Sequence, residues 1–391
     1  VKPEDQREIA RRTLEYLDGH TTALAPATLE EPLDGYLSPR QWQDERRLVF
    51  GRYPLFVGLS GDLPGPGSWL THDVTGTRIL VTRDKDGQVR AMVNTCRHRG
   101  ARVVPEGCGT KGRRFTCPFH AWTYDLDGSL VGMPGAKGFS DISKDDYGLI
   151  RLPAQERYGM IFIGASPQAA FSVDEYLGQL GEHFASLGLE SWHSLAAVHP
   201  HPIQANWKIA WATHLETYHF AFLHRNTAGP LVYGNTGIAD FYGDHGVLTS
   251  TMRTIDKLRD LPEEEWGSPV DDGHINLNYR LFPNLSFSVV SGDRLEIYTV
   301  YPGNSIAESV ALHYAYRRQA PEPGEAAAME EAVRWACQTV VDAEDYAMCA
   351  QIDPGLRAPV APRSFIIGRN EPVLQHHTLA LRRVLAAAQA Q

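Results

Sequence analysis

The chain has 391 residues, 43% of them hydrophobic and 21% charged, enough apolar side chains for large buried cores spread over two or three domains. Its formal net charge of −10 argues against a nucleic-acid-binding surface, although a local basic patch for an acidic redox partner stays open. The longest apolar runs, such as Met160 to Ala165, fall far short of the roughly 20 residues that cross a bilayer. The start of the chain lacks the apolar core of a signal peptide, and five cysteines are an odd number for a secreted disulfide framework. A soluble cytoplasmic protein without membrane or nucleic-acid partners is expected.

Residues 1–18 carry Ile9, Leu14, Tyr16 and Leu17 at roughly helical spacing among charged residues, and Thr21 to Pro32 reads as a linker. These define a segment 1–40 of helix and linker. From Leu48 to about Gly164 the chain is written in short β-like runs, among them Arg78 to Thr82 and Arg90 to Val93, separated by Gly, Asp and Pro turns, so residues 41–165 form an all-β module. After Ser166 a helix is expected over Val173 to Leu187, a second from near Asn206, and strands over Asn276 to Arg317. Within the strands, Leu285, Phe287 and Val289, a Ser291-Gly292-Asp293 turn and returning Leu295, Ile297 and Thr299 spell a hairpin. Pro321, Pro323 and Gly324 punctuate the chain before a long helix from Glu325 to about Gln351. Residues 166–391 are therefore a second domain of antiparallel sheet and helices, and the fold class is α+β.

The first chemical signal is the pair of loops Cys96-Arg97-His98-Arg99-Gly100 and Cys117-Pro118-Phe119-His120-Ala121-Trp122. Each supplies one cysteine and one histidine in the same order. Two thiolates on one iron and two imidazoles on the other would hold a [2Fe-2S] cluster of raised reduction potential. The competing reading is tetrahedral zinc, whose usual Cys-x-Cys and His-x-His pairings differ from this arrangement. Cys108, between the loops, reads as a packed thiol. Trp122 and Tyr124 would shield the cluster.

These loops, with Asn94 ahead of the first and Trp122-Thr123-Tyr124 closing the second, resemble those of Rieske non-heme iron oxygenase α subunits, the family of aromatic-ring-hydroxylating dioxygenases. The resemblance extends over most of the chain, because Asn206 to His224 is similar to that family's iron-binding stretch, with His219 and His224 in the two histidine positions. Two imidazoles and one carboxylate on one face of Fe(II) leave positions open for O₂. On an unbroken helix His224 would point about 140° from His219, so a distortion or helix end is expected between them.

The resemblance places the third ligand at Asp345. On a regular helix Cys337, Val341, Met348, Cys349 and Ile352 would surround it with an apolar stripe, and a carboxylate buried there needs a cation. Asp342, at the edge of the stripe, is the alternative; Glu344 is expected to point elsewhere by about 100°. Glu216 occupies the family position that links the two metal centres across a subunit boundary, where relatives that dihydroxylate rings usually have Asp; Glu resembles the branch acting on carnitine and betaines. A local salt bridge is the competing role for Glu216. Thr213 stands as a possible iron neighbour. His214 reads as a packing or pocket residue, and Trp211, Phe220, Phe222 and Phe282 as a possible aromatic pocket or a cage for a quaternary ammonium.

The resemblance implies a Rieske β domain joined to a helix-grip catalytic domain, a homotrimer with or without a separate β subunit, and O₂ as co-substrate. Electrons from NAD(P)H would reach the cluster, pass through Glu216 and reduce the mononuclear iron. No Gly-x-Gly-x-x-Gly fingerprint stands at a strand-to-helix turn, so a separate reductase, with or without a ferredoxin, must deliver them. The expected activity is hydroxylation or dihydroxylation of a small aromatic substrate. Oxidative N- or O-demethylation of a quaternary amine or methylated compound is the alternative. The remaining alternatives are a Rieske electron-transfer protein, which would need only the first domain and leave residues 166–391 without a purpose, and a zinc-stabilised binding module, which would be colourless and inert to dithionite.

Overall fold

The computed structural model describes residues 2–74, 76–110, 112–322 and 324–389; Val1 and Pro323, touched by the expectations above, lie outside them. The chain divides into two compact units, residues 50–191 and residues 1–49 with 192–391. The expected boundaries move accordingly. Helices Val173–Leu177 and Leu180–Leu187, separated at Gly178 (φ 51°), replace one continuous helix. They stay with the first unit: Arg157 Nε and the Tyr158 hydroxyl each lie 2.7 Å from Asp174 Oδ1, and the Gln155 side chain bonds Phe171 and Val173.

Among the described residues the first unit contains a five-stranded antiparallel sheet and two three-stranded sheets. One of the latter, Arg114–Thr116, Thr123–Asp125 and Leu130–Gly132, carries the second Cys/His loop. The core that includes Cys96 and Cys117 is built from Trp69, Leu80, Met92, Phe115, Trp122, Tyr124 and neighbouring aliphatics.

In the second unit the N-terminal segment is structural rather than a linker. Helix Pro3–Asp18 is tied to the far sequence by Arg12 to Asp240 at 3.0 Å and Gln6 to Asp271 at 2.9 Å. Strand Leu29–Pro32 pairs with Ser364–Ile367. Glu45 is fully buried, 2.6 Å from Lys208 Nζ and 2.7 Å from Trp207 Nε1. Removing one member of such a pair strands the other charge at a cost of about 3–5 kcal/mol. Lys208→Met is therefore expected to lower the unfolding midpoint sharply, and Lys208→Met combined with Glu45→Leu to recover much of the loss, as followed by thermal and denaturant unfolding.

The sheet of this unit is antiparallel, with Ile275–Leu281, Leu285–Val290, Arg294–Pro302 and Ser309–Arg317 in succession and His199–Ile203 also pairing Ser309–Arg317. The expected hairpin is present, with Leu285 opposite Thr299, Phe287 opposite Ile297 and Val289 opposite Leu295. Ser291 and Gly292 take φ of 50° and 70° in the turn, a conformation that favours glycine. Both faces of the sheet are buried. Asn278, Ser288 and Glu296 align across one face, as do Arg280, Ser286, Tyr298 and His313. The alternating hairpin residues Leu285, Phe287, Val289, Leu295 and Ile297 therefore occupy only one side, and the polar positions between them line a second interior surface.

The long C-terminal helix is not uniform. α-Helix Ala326–Trp335 passes into π-helix Ala336–Tyr346 and returns to α-helix Ala347–Leu356. A π-helical turn holds an extra residue, so buried Cys337, Val341 and Tyr346 recur at steps of four and five. Met348 and Ile352, placed on the stripe by regular spacing, are 38% and 42% exposed. No helix among the described residues is long and apolar enough to cross a membrane.

Candidate metal centres

Asn206 caps helix Trp207–Ala212, its side chain accepting from Lys208 N at 3.0 Å while its amide donates to Tyr36 O at 3.1 Å. The helix stops at Ala212 and the chain continues in turns through both histidines, the interruption that their five-residue spacing requires. His219 O accepts from Phe222 N and Leu223 N at 3.0 and 2.8 Å, and His224 O from Thr227 N and Gly229 N at 3.0 and 2.8 Å.

Donor atoms of His219, His224 and Asp345 all lie within 4.8 Å of one another. Asp345 Oδ1 is 3.4 Å from His219 Nε2 and 3.3 Å from His224 Nε2, yet it is buried without a hydrogen-bond partner. The opposite nitrogens are taken: Glu216 Oε1 engages His219 Nδ1 in a very short contact, and Glu344 Oε2 lies 2.7 Å from His224 Nδ1. A carboxylate behind each Nδ1–H turns each Nε2 inward, where it would offer its lone pair to a metal that displaces the proton, the arrangement that orients imidazole ligands in metal sites. Burial pulls both imidazoles towards neutrality, but Asp345 and Glu216 overcome it and hold His219 up at about 9. Against the same burial, Asp345 and Glu344 raise His224. Burial likewise works against the Asp345 carboxylate, which the two histidines nevertheless hold below its ordinary range. Two of the carboxylates back the imidazoles and the third faces both Nε2 atoms, so a metal ion that displaced the imidazole protons would fit against the orphaned Asp345 oxygen.

Glu344 corrects the expectation that it points elsewhere. The π-helical segment turns it onto His224, and Thr227 Oγ1 donates to the same oxygen at 2.7 Å. Asp342 instead faces His201 Nδ1 at 2.6 Å. Thr213 spends its hydroxyl on Ala210 O at 2.9 Å, which explains it as a helix-end residue. His214 Nε2 meets the Tyr346 hydroxyl at 3.1 Å, and its ring lies 4.9 Å from that of Tyr298; burial and Arg280 push it down to about 3.

The aromatic pocket does not assemble as expected. Phe222 is 70% exposed; Phe282 is buried against His377, to which Trp211 donates its indole N–H at 2.9 Å. Phe220 does pack on both ligands, with ring separations of 4.8 and 5.1 Å from His219 and His224. The residues missed by sequence are the polar ones on the sheet face that meets His214. Arg280 Nη1 donates to Ser286 Oγ at 2.7 Å, its Nε donates to His214 O in a very short contact, and burial pushes it down to about 9. The period-two alternation of Asn278 and Arg280, Ser286 and Ser288, and Glu296 and Tyr298 was the available signal.

In the other unit the two Cys/His loops share one backbone form. Cys96 N donates to Ala101 O and Gly100 N to Cys96 O, at 2.8 and 2.9 Å; Cys117 N donates to Trp122 O and Ala121 N to Cys117 O, at 2.8 and 3.0 Å. The residue four beyond each cysteine has positive φ, 77° at Gly100 and 59° at Ala121. Asn94 pins the first loop by bonding Val103 N and both the N–H and carbonyl of Val104.

The thiols of Cys96 and Cys117 interact with each other inside the core, whereas the rings of His98 and His120 meet at 4.6 Å. Sulfur at one end and nitrogen at the other is the division a two-iron centre requires. His98 Nδ1 is buried without a partner, the vacancy expected of a ligand atom. Trp122 stacks on His98 at 5.0 Å. Cys108 is exposed rather than packed, because its short edge strand lies at the surface. The Tyr124 hydroxyl accepts from Arg97 N at 3.0 Å and lies 3.2 Å from Cys96 Sγ, to which it donates when sulfur is a thiolate. Hydrogen bonds to cluster sulfur raise the potential. Tyr124→Phe is expected to lower it by about 20–60 mV, the value of one bond of about 0.5–1.5 kcal/mol for a one-electron couple, read by redox titration under EPR.

Residues 189–387 match the family model for the ring hydroxylating alpha subunit catalytic domain, and residues 54–145 that for the Rieske [2Fe-2S] domain. The chain belongs to the Rieske non-heme iron oxygenase α-subunit family, whose cofactors are a [2Fe-2S] cluster and a mononuclear iron. It is 31% identical over 201 residues to the glycine betaine monooxygenase oxygenase subunit of Chromohalobacter salexigens, covering 51% of this chain and 44% of that protein. It is 30% identical over 207 residues to the biphenyl 2,3-dioxygenase alpha subunit of Rhodococcus jostii, covering 50% and 45%. The matched part thus spans about half the length of these curated relatives. The fold is that of the quaternary ammonium Rieske monooxygenase CntA in complex with L-carnitine (TM-score 0.77, 19% identity, 96% and 98% of the two chains). Naphthalene 1,2-dioxygenase with indole bound has it too (TM-score 0.73, 17% identity, 91% and 92%).

Proposed function

We propose that this chain is the terminal oxygenase of a multicomponent system, a cytoplasmic enzyme that receives NAD(P)H electrons from a reductase, with or without a ferredoxin, and oxidises a small organic molecule with O₂. The observation that carries this reading is the convergence of His219, His224 and Asp345 with a carboxylate behind each imidazole, in a chain that also carries the Cys96/His98/Cys117/His120 set. When bound, the iron supplies the activation of dioxygen and the cluster supplies single electrons. The protein's own part is to hold the ligands in one protonation form and to present the substrate. Glu216 and Glu344 keep each Nδ1 protonated so that Nε2 is available, and Phe220 closes one side of the ligand set.

For the substrate, hydroxylation or dihydroxylation of an aromatic ring is one reading. The second, oxidation of a quaternary amine or methylated compound, is favoured by a specific observation: the buried sheet face beside His214 carries Asn278, Arg280, Ser286, Glu296 and Tyr298. These groups bond one another and their neighbours, Asn278 to Leu248 O and Ser250, Arg280 to Ser286 and Glu296 to His313, so the wall they form is polar and suits a ligand bearing charge or hydrogen-bonding groups better than a bare hydrocarbon. Glu216 in place of Asp points the same way. A panel of arenes, aromatic acids, betaines and methylated amines, scored for O₂ and NADH consumption coupled to product, tests both levels. Coupled turnover of the charged amines supports the second reading, coupled turnover of arenes alone overturns it, and uncoupled consumption throughout a broad panel counts against the oxygenase reading.

We further assign the chain to a homotrimer, with or without a separate β subunit, in which one protomer's cluster serves its neighbour's iron. Exposed Phe119 beside His120 and exposed Tyr218 and Phe222 beside His219 support docking at both ends of that path. Sedimentation of the chain alone tests it, and a stable, active monomer would sink it.

A further inference from the structure

A second cluster of ligating side chains lies outside the two centres. His199 and His201 are two residues apart on strand His199–Ile203, so period two puts both on one face. Cys337, on the π-helical segment, covers that face, and donor atoms of all three residues lie within 4.8 Å of one another. His201 is fully buried, and its Nε2 has no hydrogen-bond partner. Its Nδ1 is held by Asp342 at 2.6 Å, the same carboxylate-behind-imidazole pattern that Glu216 and Glu344 give the iron ligands. An orphaned nitrogen on a buried ring that is fixed in orientation and clustered with a cysteine and a second histidine is costly unless something binds there.

We propose that His199, His201 and Cys337 form a second metal site, for a borderline ion of the zinc class, which clamps the π-helical segment carrying Glu344 and Asp345 to strand His199–Ile203. Two imidazoles and one thiolate are the donor set such an ion takes, leaving a fourth position for water or a further side chain. A nucleophilic role for Cys337 is the rival, because His313 Nδ1 lies 2.9 Å from its sulfur and Glu296 stands on the other nitrogen of His313. It fails on access: Cys337 and His313 are each 1% exposed, which leaves a substrate no approach. Without an ion, burial, aided by Glu296 and Asp342, pushes the thiol up to about 12; metal binding there would release that proton.

The test is independent of the oxygenase reading. Holoprotein of known cluster iron and sulfide is incubated with zinc, desalted and analysed for metals per chain, beside Asp345→Ala, His199→Gln and Cys337→Ser proteins treated alike. The proposal expects about one zinc per chain that survives Asp345→Ala and falls at least tenfold in both His199→Gln and Cys337→Ser, with cluster iron unchanged. Zinc-edge X-ray absorption should then report one sulfur and at least two nitrogen neighbours, the sulfur vanishing in Cys337→Ser. His199 is only partly buried, so His199→Gln keeps the test sound if Cys337→Ser folds poorly. Zinc lost with Asp345→Ala, zinc retained by both His199→Gln and Cys337→Ser, or a zinc shell without sulfur would overturn the proposal.

Discussion

Asp345→Ala protein is expected to purify with the visible and EPR signatures of its [2Fe-2S] cluster intact, to hold little mononuclear iron and to turn over at background. Asp345 is the sole carboxylate among the three convergent donors, and its inward oxygen has no other partner. Its removal therefore takes away the anionic ligand without breaking a hydrogen bond in the surrounding fold. Glu344→Gln provides the internal scale. Its carboxylate touches His224 Nδ1 and Thr227 rather than the ion, and partners of that kind are worth about 10–100-fold in metal affinity or activity. The expected order is wild type, then Glu344→Gln with reduced iron, then Asp345→Ala with almost none, from iron analysis beside sulfide analysis of the same samples. Full iron and full turnover in Asp345→Ala would remove it from the ligand set.

The two Cys/His loops, the histidines and Asp345 were legible because their chemistry is written in residue type and order, which survive without three-dimensional detail. The hairpin over Leu285 to Thr299 was legible for a related reason: alternation and a Ser-Gly-Asp turn fix register locally. What failed depended on neighbours distant in sequence. Thr21 to Pro32 looks like a linker until Ser364–Ile367 arrives to pair with part of it. The role of Glu344 was hidden because a 3.6-residue period was applied to a stretch that is π-helical, and nothing in Ala336 to Tyr346 announces that change. The polar sheet face was hidden because alternation tells which residues share one side of a strand and not whether the second side meets water or another core. Here both faces are interior, and the polar set becomes the wall beside the candidate iron site.

Glu216→Gln is expected to keep its cluster, to lose part of its mononuclear iron as Glu344→Gln does, and in the iron-loaded fraction to lower coupled turnover by about 10–100-fold, with re-oxidation of the pre-reduced cluster slowed by a similar factor in single-turnover experiments. The substitution is nearly isosteric and keeps one oxygen to accept from His219 Nδ1–H, while its amide nitrogen replaces the acceptor of the His219 backbone N–H, so it removes the charge and one hydrogen bond together. In the structure one Glu216 oxygen engages His219 Nδ1 and the other accepts from His219 N at 3.1 Å. The carboxylate thus sets both the ring and the backbone of a ligand, and it is only 12% exposed. If Glu216 carries the connection between centres that the family resemblance implies, removing its charge slows electron arrival at the iron, and stopped-flow absorbance of the cluster will record it. If it only orients His219, iron occupancy falls while the surviving iron-loaded fraction re-oxidises its cluster at the wild-type rate. The first result keeps Glu216 in the electron path; the second confines it to holding one imidazole, and the path must then be sought through another residue.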